Sequence, residues 1–94
     1  MVILSEFDAA EYLDDEELQA RYLVEVAKEN NPTELLKAID TIARAKGMAK
    51  TARKAGITRE GLYKALSPQG NPAFSTVLKV LNAIGYTLVP MPMD

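Results

Sequence analysis

The sequence predicts an all-α fold, and three observations support this. Apolar residues recur at three- and four-residue spacing over much of the 94-residue chain, which is the period of a helix that buries one side. Residues typical of helix ends punctuate these segments, with Asp, Asn or Thr before them and Gly after them. The stretch YTLVPMPM at 86–93 alternates only weakly and contains two prolines. We therefore expect a single domain, 1–94, of five helices, with at most a short C-terminal edge strand.

The first long helix is predicted within DDEELQARYLVEVAKENN at 14–31, after a short helical segment, FDAAEYL, at 7–13. The long helix begins with four acidic residues, which suit the positive end of a helix dipole, and Asn-Asn-Pro ends it. The residues expected on its apolar face are Leu18, Tyr22, Val26 and, at the margin, Leu23.

The second helix has strong signals at both ends. Asn31 is placed to cap it, Pro32 occupies the first helical position, and Glu34 follows three residues after the cap. Its apolar residues are Leu35, Leu36, Ile39, Ile42 and Ala43. The helix should run to about Lys46, with Gly47 as the residue that ends it.

Two short helices joined by a glycine turn are predicted next. One runs from Met48 to Lys54 and stops at Ala55-Gly56, and the other is capped by Thr58 and runs through Leu66. This is the helix-turn-helix arrangement, in which a small residue precedes the turn glycine and apolar residues pin the second helix inward. The residues that meet these requirements are Ala52, Gly56, Ile57, Leu62 and Ala65.

The last helix follows the loop SPQGNP at 67–72, starts near Pro72 or Ser75, and ends at Gly85. Its apolar residues cover more than one face: Val77, Leu78, Val80, Leu81 and Ile84. This width favours packing on a second copy of the chain. The alternative is that a small domain buries the helix alone.

Charge is distributed unevenly along the chain. Residues 1–42 hold eleven acidic side chains against three basic ones, whereas residues 43–94 hold eight basic against two acidic, so the two parts carry −8 and +6. This asymmetry indicates two surfaces with different partners, the basic one suited to phosphates and the acidic one to a positively charged partner. The alternative is that the two parts simply attract each other.

Composition argues against several functional classes. The chain has no His and no Cys, and its acidic residues cluster at one helix start, so no catalytic or metal-binding constellation is evident. We expect no enzymatic activity and no cofactor. No apolar stretch is long enough for a membrane span, and no export signal is recognisable, so we expect a cytoplasmic protein with no membrane partner.

The fourth helix is the candidate DNA-reading element, because a recognition helix lies in the major groove with its N-terminal residues nearest the base edges. Arg59 could read guanine, and Glu60 could accept a hydrogen bond from cytosine N4 or orient Arg59. The residues expected to contact phosphates are Lys50, Arg53, Lys54 and Thr58, and Tyr63 and Lys64 complete the exposed side. The alternatives are half-buried packing for Tyr63 and plain solvation for Lys54.

Gly61 is unusual, because a glycine inside a helix costs about 1 kcal/mol relative to Ala. A close approach to DNA or to the neighbouring helix would account for it. On that interpretation, Gly61→Ala stabilises the fold by up to about 1 kcal/mol and weakens DNA binding. The loop at 67–71 could contact a phosphate through its backbone or serve only as a connector.

Three segments together resemble a known family: FDAAEYLDDEE at 7–17, ARAKGM at 43–48, and ITREGLYKALSPQGNPAFSTVLKVLNAIG at 57–85. They resemble the probable addiction-module antidote family, antitoxins of type II toxin–antitoxin systems with a phage-repressor-like helix-turn-helix. The resemblance covers nearly the whole chain. Thr51 departs from it, because such domains commonly have a more apolar residue there.

The resemblance implies an antitoxin that binds and neutralises a small, basic, mRNA-cleaving toxin and represses their shared promoter. The DNA-reading residues it implies are Thr58, Arg59, Glu60, Gly61, Tyr63 and Lys64. It implies a homodimer formed through the last helix and tail, and we expect contacts from Val77, Val80, Leu81, Ile84, Tyr86 and Leu88. For the toxin, our candidates are Phe7, Tyr12, Asp14, Asp15, Glu16 and Glu17, since an acidic surface complements a basic partner.

On this basis, residues 1–31 form an acidic segment and helix that bind the toxin. Residues 32–94 form the helix-turn-helix core and the dimerisation tail. The alternative function is a phage or bacterial helix-turn-helix transcriptional regulator that has no toxin partner.

Overall fold

The computed structural model describes residues 15–94, which form five helices. These are α1 Glu16–Lys28, α2 Pro32–Lys46, α3 Met48–Ala55, α4 Arg59–Leu66 and α5 Phe74–Ala83. The prediction of an all-α fold is confirmed. The short segment predicted at 7–13 lies outside the described residues.

The helix ends are made by local side chains and glycines. Asp15 caps α1, since its carboxylate accepts hydrogen bonds from the N–H groups of Glu17 and Leu18. Asn31 caps α2, since its side-chain oxygen accepts a hydrogen bond from the N–H of Glu34. Gly47 separates α2 from α3. Its φ angle is 108°, a value that residues other than glycine rarely adopt. The Asn31 cap and the Gly47 turn therefore fall where the sequence predicted them, whereas Asp15 is the cap of α1 rather than a residue of its acidic first turn.

The core lies where α3 meets its neighbours, since α3 packs against α2, α4 and α5, and α1 packs on α2. Ile39 and Ile42 of α2 and Leu62 of α4 have no exposed surface, and Val80 of α5 is 1% exposed. Thr51 is 2% exposed, so this position is a core position despite its hydroxyl group. The short α3 is therefore the element against which α2, α4 and α5 all pack.

The apolar face predicted for α1 is wrong at Leu18, which is 44% exposed. Gln19 and Leu23 are the buried residues of α1, and Tyr22 and Val26 are partly buried beside them. The helix is rotated so that Leu23 rather than Leu18 is buried, and Gln19 occupies the buried position one turn earlier.

The C-terminal half of the last helix, together with Ile84, packs into the core of the protomer. Val80, Leu81 and Ile84 are between 1 and 4% exposed, and they belong to the same core as α2, α3 and α4. These three residues therefore are not surface groups for a second copy in this conformation, because α5 packs on α3. Of the other residues predicted for dimerisation, Val77 and Tyr86 are partly buried and Leu88 is exposed.

No strand forms in the described residues beyond α5, so the short edge strand considered for the tail is not present. Pro90 and Pro92 lack the N–H groups that strand pairing needs, and residues 15–94 offer no other strand as a partner.

Candidate nucleic-acid interface

The turn between α3 and α4 is a tight corner built on a left-handed glycine. Gly56 adopts the left-handed conformation, with φ 74°, and its N–H donates to the carbonyl of Arg53 at 3.2 Å. The N–H of Ile57 then donates to the carbonyl of Ala52 at 3.0 Å. A Cβ atom at Gly56 would meet nothing within 4 Å, so this glycine is required by backbone conformation rather than by space.

The inward residues hold α4 against α3. Ala52 is 2% exposed and Leu62 is completely buried, while Ile57 and Ala65 are partly buried. The small side chain of Ala52 lets the two helices approach, and Leu62 fills the space between them and α2. The outward side of α4 is therefore held in a defined orientation by packing.

The N-terminus of α4 is capped by Thr58, whose Oγ1 accepts a hydrogen bond of 2.9 Å from the N–H of Gly61. The hydroxyl of Thr58 still has its own proton to donate, so this side chain can cap the helix and contact a phosphate together. Helix N-termini with such free donors suit anions.

The structure gives Gly61 a local explanation. A Cβ atom at this position would lie 2.9 Å from Oγ1 of Thr58, closer than real Cβ contacts. The crowding therefore comes from the cap of α4 itself. Neither a neighbouring helix nor bound DNA is needed to account for the glycine.

The predicted DNA-contacting cations are exposed and form no ion pair with any residue in the range 15–94. The residues are Lys50, Arg53, Lys54, Arg59 and Lys64. Within residues 15–94 none of them pairs with an acidic side chain, whereas four other cations, Lys28, Lys37, Arg44 and Lys46, each form an ion pair. Positive charge that is not balanced by the described residues is available to a polyanion.

Lys50 and Lys54 lie one turn apart on α3 and line a cleft of about 370 Å³ between α3, the start of α1 and the end of α5. Lys46 lines the same cleft, and Lys54 and Lys79 line an adjoining groove of about 420 Å³. No residue of α4 lines either of them. We refer to Lys46, Lys50, Lys54 and Lys79 as the lysine face.

Two members of the lysine face, Lys46 and Lys79, were not predicted from the sequence to contact DNA. Lys46, Lys50 and Lys54 recur at four-residue spacing, which could have drawn attention to Lys46. Lys79 had no such signal, because only the packing of α5 on α3 brings it beside Lys54. Most of the predicted DNA-binding residues thus lie either on α4 and its cap or on the lysine face. Arg53 is the exception, since it lies on α3 but lines neither groove.

Arg59 and Tyr63 form a pair on the outward side of α4. Nη2 of Arg59 donates to Oη of Tyr63 at 3.5 Å, and the guanidinium carbon lies 5.7 Å from the centre of the ring. Tyr63 is 45% exposed, so about half of its side chain is covered by the protein and half is open to solvent. No ion pair joins Glu60 to Arg59 among the described residues, so the side chain that orients Arg59 is Tyr63 and not Glu60.

The loop after α4 folds back onto that helix. Ser67 Oγ donates to the carbonyl of Lys64, and the N–H of Gly70 donates to the carbonyl of Ser67 at 2.8 Å. A Cβ atom at Gly70 would lie 2.8 Å from the carbonyl oxygen of Lys64 and closer still to that of Ala65. The Gly70 N–H is therefore used inside the loop, which favours the connector interpretation over phosphate contact.

The acidic start of α1 lies beside the lysine face. Oε1 of Glu16 is 3.4 Å from Nζ of Lys46, and Glu16 lines the same cleft as Lys50. Burial, and secondarily the charge of Glu16, raise the pKa of Tyr86 above its ordinary value of 10.0.

The predicted toxin-contacting residues have different positions. Asp15 caps α1, Glu16 pairs with Lys46, and Glu17 is exposed. Phe7, Tyr12 and Asp14 lie outside the described residues.

Exposed apolar side chains cluster in the tail. Leu88, Val89, Met91 and Met93 are between 46 and 86% exposed, and Phe74 at the start of α5 is 66% exposed.

Among residues 15–94 no group of acidic side chains is arranged to hold a metal ion. None of the five helices is long and apolar enough to span a bilayer.

Comparison with known proteins gives two matches. A family model described as probable addiction module antidote protein matches residues 3–92. A Haemophilus influenzae protein described as uncharacterized is 53% identical over 81 residues, which cover 86% of this chain and 84% of that protein. No solved structure matches. The family match spans both the acidic N-terminal region and the α3–α4 pair.

Proposed function

Because the chain belongs to the probable addiction module antidote protein family, we propose that it is the antitoxin of a type II toxin–antitoxin module. It is a sequence-specific DNA-binding homodimer that neutralises a cognate mRNA-cleaving toxin and represses the operon that encodes both. It works in the cytoplasm, as a repressor of a bacterial promoter must, and it needs neither enzymatic activity nor a cofactor.

The observation that carries the DNA-binding part is the α3–α4 pair. Its corner, its cap and its buried inner side have the geometry of a helix-turn-helix, and its outward cations have no acidic partner among residues 15–94. A rigid helix that presents unpaired cations fits the major groove, where base edges can be read between two phosphate backbones.

The roles of the residues follow from their positions. Arg59 reads a guanine and Glu60 accepts a hydrogen bond from a cytosine, since both lie in the exposed first turn of α4. Thr58, Arg53 and Lys64 contact phosphates beside that turn. Lys50 and Lys54, on the lysine face, contact phosphates farther from α4.

The acidic start of α1 supports the toxin-binding part. Glu16 and Glu17 are exposed, and Asp15 holds the helix end that presents them. A small basic toxin that acts on RNA would be attracted to this surface, because complementary charge steers encounter and fixes orientation. Phe7 and Tyr12 would add apolar contacts from the preceding segment.

Homodimer formation is proposed through the tail, with contributions from Leu88 and the partly buried Val77 and Tyr86. Two α4 helices related by a two-fold axis would then read operator half-sites about one helical turn apart, near 34 Å. The exposed apolar residues of the tail support this part, since a second copy would remove them from water.

The DNA-binding part is tested by gel shift on the duplex immediately upstream of the gene, with a scrambled duplex as control. With four cationic phosphate contacts proposed per protomer, about eight per dimer, affinity should fall on the order of ten-thousandfold between 50 and 200 mM salt. Arg59→Ala should abolish the preference for the upstream duplex while helicity is unchanged. Equal binding of both duplexes by the wild-type chain would overturn this part.

The toxin-binding part is tested by co-expression with the adjacent reading frame, followed by co-purification and a growth-rescue assay. Glu17→Lys should weaken rescue, because it puts a positive charge on the surface proposed to face the toxin. Glu29→Lys, at the opposite end of α1, is the matched control and should rescue normally. Full rescue by both variants would remove the start of α1 from the toxin interface.

One observation favours a second candidate, a transcriptional regulator without a toxin partner. Asp15 and Glu16 already have intramolecular roles, as the α1 cap and the partner of Lys46, and these alone could explain the acidic residues there. The absence of a small basic protein in the neighbouring reading frames would favour this candidate.

A further inference from the structure

The contact between Arg59 and Tyr63 gives the outward side of α4 a feature that charge alone does not. The two residues are four positions apart, so their side chains share one face of the helix. The guanidinium carbon is 5.7 Å from the ring centre, and Nη2 lies 3.5 Å from Oη. Arg59 therefore contacts both the ring and the hydroxyl group of one neighbour, the hydrogen bond being a long one.

The neighbour is suited to holding an arginine. A guanidinium group is planar and weakly hydrated, so it stacks on an aromatic face better than an ammonium group does. The hydrogen bond to Oη uses one of five N–H donors, which leaves enough for a bidentate contact with guanine O6 and N7. The pairing therefore orients Arg59 and leaves its remaining N–H donors available to DNA.

Glu60 cannot do the same, because successive residues on a helix do not face each other. An arginine without a partner would sample many rotamers in the free protein, and binding would have to restrict them. A side chain already held near one orientation loses less freedom when it binds.

From this contact we infer that Tyr63 is a positioning residue that determines specificity. It holds Arg59 along α4 so that the guanidinium group reads a guanine in the major groove. The inference rests on the proposed DNA-binding function and assigns to Tyr63 a role exercised through Arg59. Tyr63 should therefore affect the choice of base at one position more than it affects general affinity for DNA.

The experiment uses the full chain and a duplex library with a randomised central segment. Selection with the wild-type protein gives the preferred sequence, and selection with Arg59→Ala identifies the base pair at which preference is lost. Affinities are then measured for the preferred duplex and for a duplex changed at that pair, for Tyr63→Leu, Tyr63→Phe and the double variant Arg59→Ala/Tyr63→Leu.

Tyr63→Leu should lower the guanine preference at that pair about two- to fivefold, the size expected for an exposed cation–aromatic contact. Tyr63→Phe keeps the ring and should retain most of the preference. In the Arg59→Ala background, Tyr63→Leu should have no further effect. Phe74→Leu is the matched control, since it removes another exposed ring, outside α4, and should leave the preference unchanged.

Three outcomes would overturn the inference. Full guanine preference in Tyr63→Leu would show that Arg59 needs no support. An equal loss of affinity for both duplexes, or a loss that persists without Arg59, would show that Tyr63 contacts DNA by itself. If the wild-type chain selects no sequence at all, the proposed DNA-binding function fails and the inference fails with it. Thermal unfolding of each variant separates these outcomes from misfolding.

Discussion

Thr58 and Gly61 share the same space at the start of α4, and this changes what a substitution should do. A Cβ atom at Gly61 would lie 2.9 Å from the capping hydroxyl oxygen of Thr58. Ala improves helix propensity by about 1 kcal/mol, but losing a threonine cap costs about the same. The expected gain from Gly61→Ala is therefore largely cancelled.

We predict that Gly61→Ala changes the free energy of unfolding of the wild-type chain by less than about 0.5 kcal/mol. In the Thr58→Ala variant the same substitution should raise the free energy of unfolding by about 0.5 to 1 kcal/mol, because no cap remains to be displaced. Urea denaturation of the four proteins measures both effects. Equal stabilisation in the two backgrounds would show that the cap adapts to the new methyl group.

Tyr86 links stability to pH. Burial and then the charge of Glu16 raise the pKa of its phenol above 10.0, so the folded state favours the neutral form. A raised pKa stabilises the fold fully below the unfolded-state pKa, and this contribution is lost as pH rises through the folded-state value.

We predict that the unfolding free energy of the wild-type chain falls above pH 10 more steeply than that of Tyr86→Phe. Tyr63→Phe serves as the control, since Tyr63 is an exposed tyrosine on α4. Unfolding in urea at a series of pH values between 8 and 11 gives the comparison. Identical pH profiles for Tyr86→Phe and the wild-type chain would contradict the prediction.

At the scale of elements, α3 carries charge on a side that α4 does not share. Lys50 and Lys54 line the cleft with the ends of α1 and α5, and Lys79 of α5 extends the same face. If the lysine face contacts DNA, it does so on phosphates outside the segment read by α4, and it should influence affinity without influencing sequence preference.

We predict that Lys50→Gln and Lys54→Gln each weaken DNA binding alike for specific and scrambled duplexes. Each should also make the slope of log affinity against log salt shallower by about 1.8, because each variant removes one phosphate contact from both protomers of the dimer. Fluorescence anisotropy between 50 and 200 mM salt measures the slope. Lys37→Gln, at an exposed lysine paired with Glu34, is the control and should leave the slope unchanged. Unchanged slopes for both α3 variants would make these lysines simple surface charges.

Some features of the helices could be predicted from the local sequence, and others could not. The bounds of α2 and the Thr58 cap of α4 were predictable, because each depends on groups within a few residues of one another. The face that α1 buries was not, because Leu18 and Gln19 differ by only 100° around the helix and the position of α2 decides between them.

At the scale of the whole molecule, the protomer buries most of the apolar face of α5 and leaves the tail exposed. Leu88, Val89, Met91 and Met93 contribute nothing to the core of residues 15–94. A tail that is apolar but unpacked is the part of the surface most suited to a second copy.

We predict that the full chain is a dimer and that removing residues 87–94 makes it a monomer with unchanged helicity, since the removed residues lie outside the helices and the core. Analytical ultracentrifugation and circular dichroism measure the two properties. Phe74→Ser, which changes the exposed aromatic ring at the start of α5, shows whether the interface extends onto that helix. A dimer that survives the truncation would place the interface elsewhere.

Chemistry within a few residues was enough to predict the all-α class, both ends of α2 and the turn glycine Gly56, because helix periodicity, caps and positive φ angles are local properties. The cations of α3 and α4 could be identified in the same way. Tertiary packing, in contrast, places Val80, Leu81 and Ile84 inside the protomer, brings Lys79 to the lysine face and closes Gly70 against the end of α4. These outcomes depend on which elements lie against each other, and apolar character alone does not distinguish a side chain that packs on its own core from one that packs on a partner.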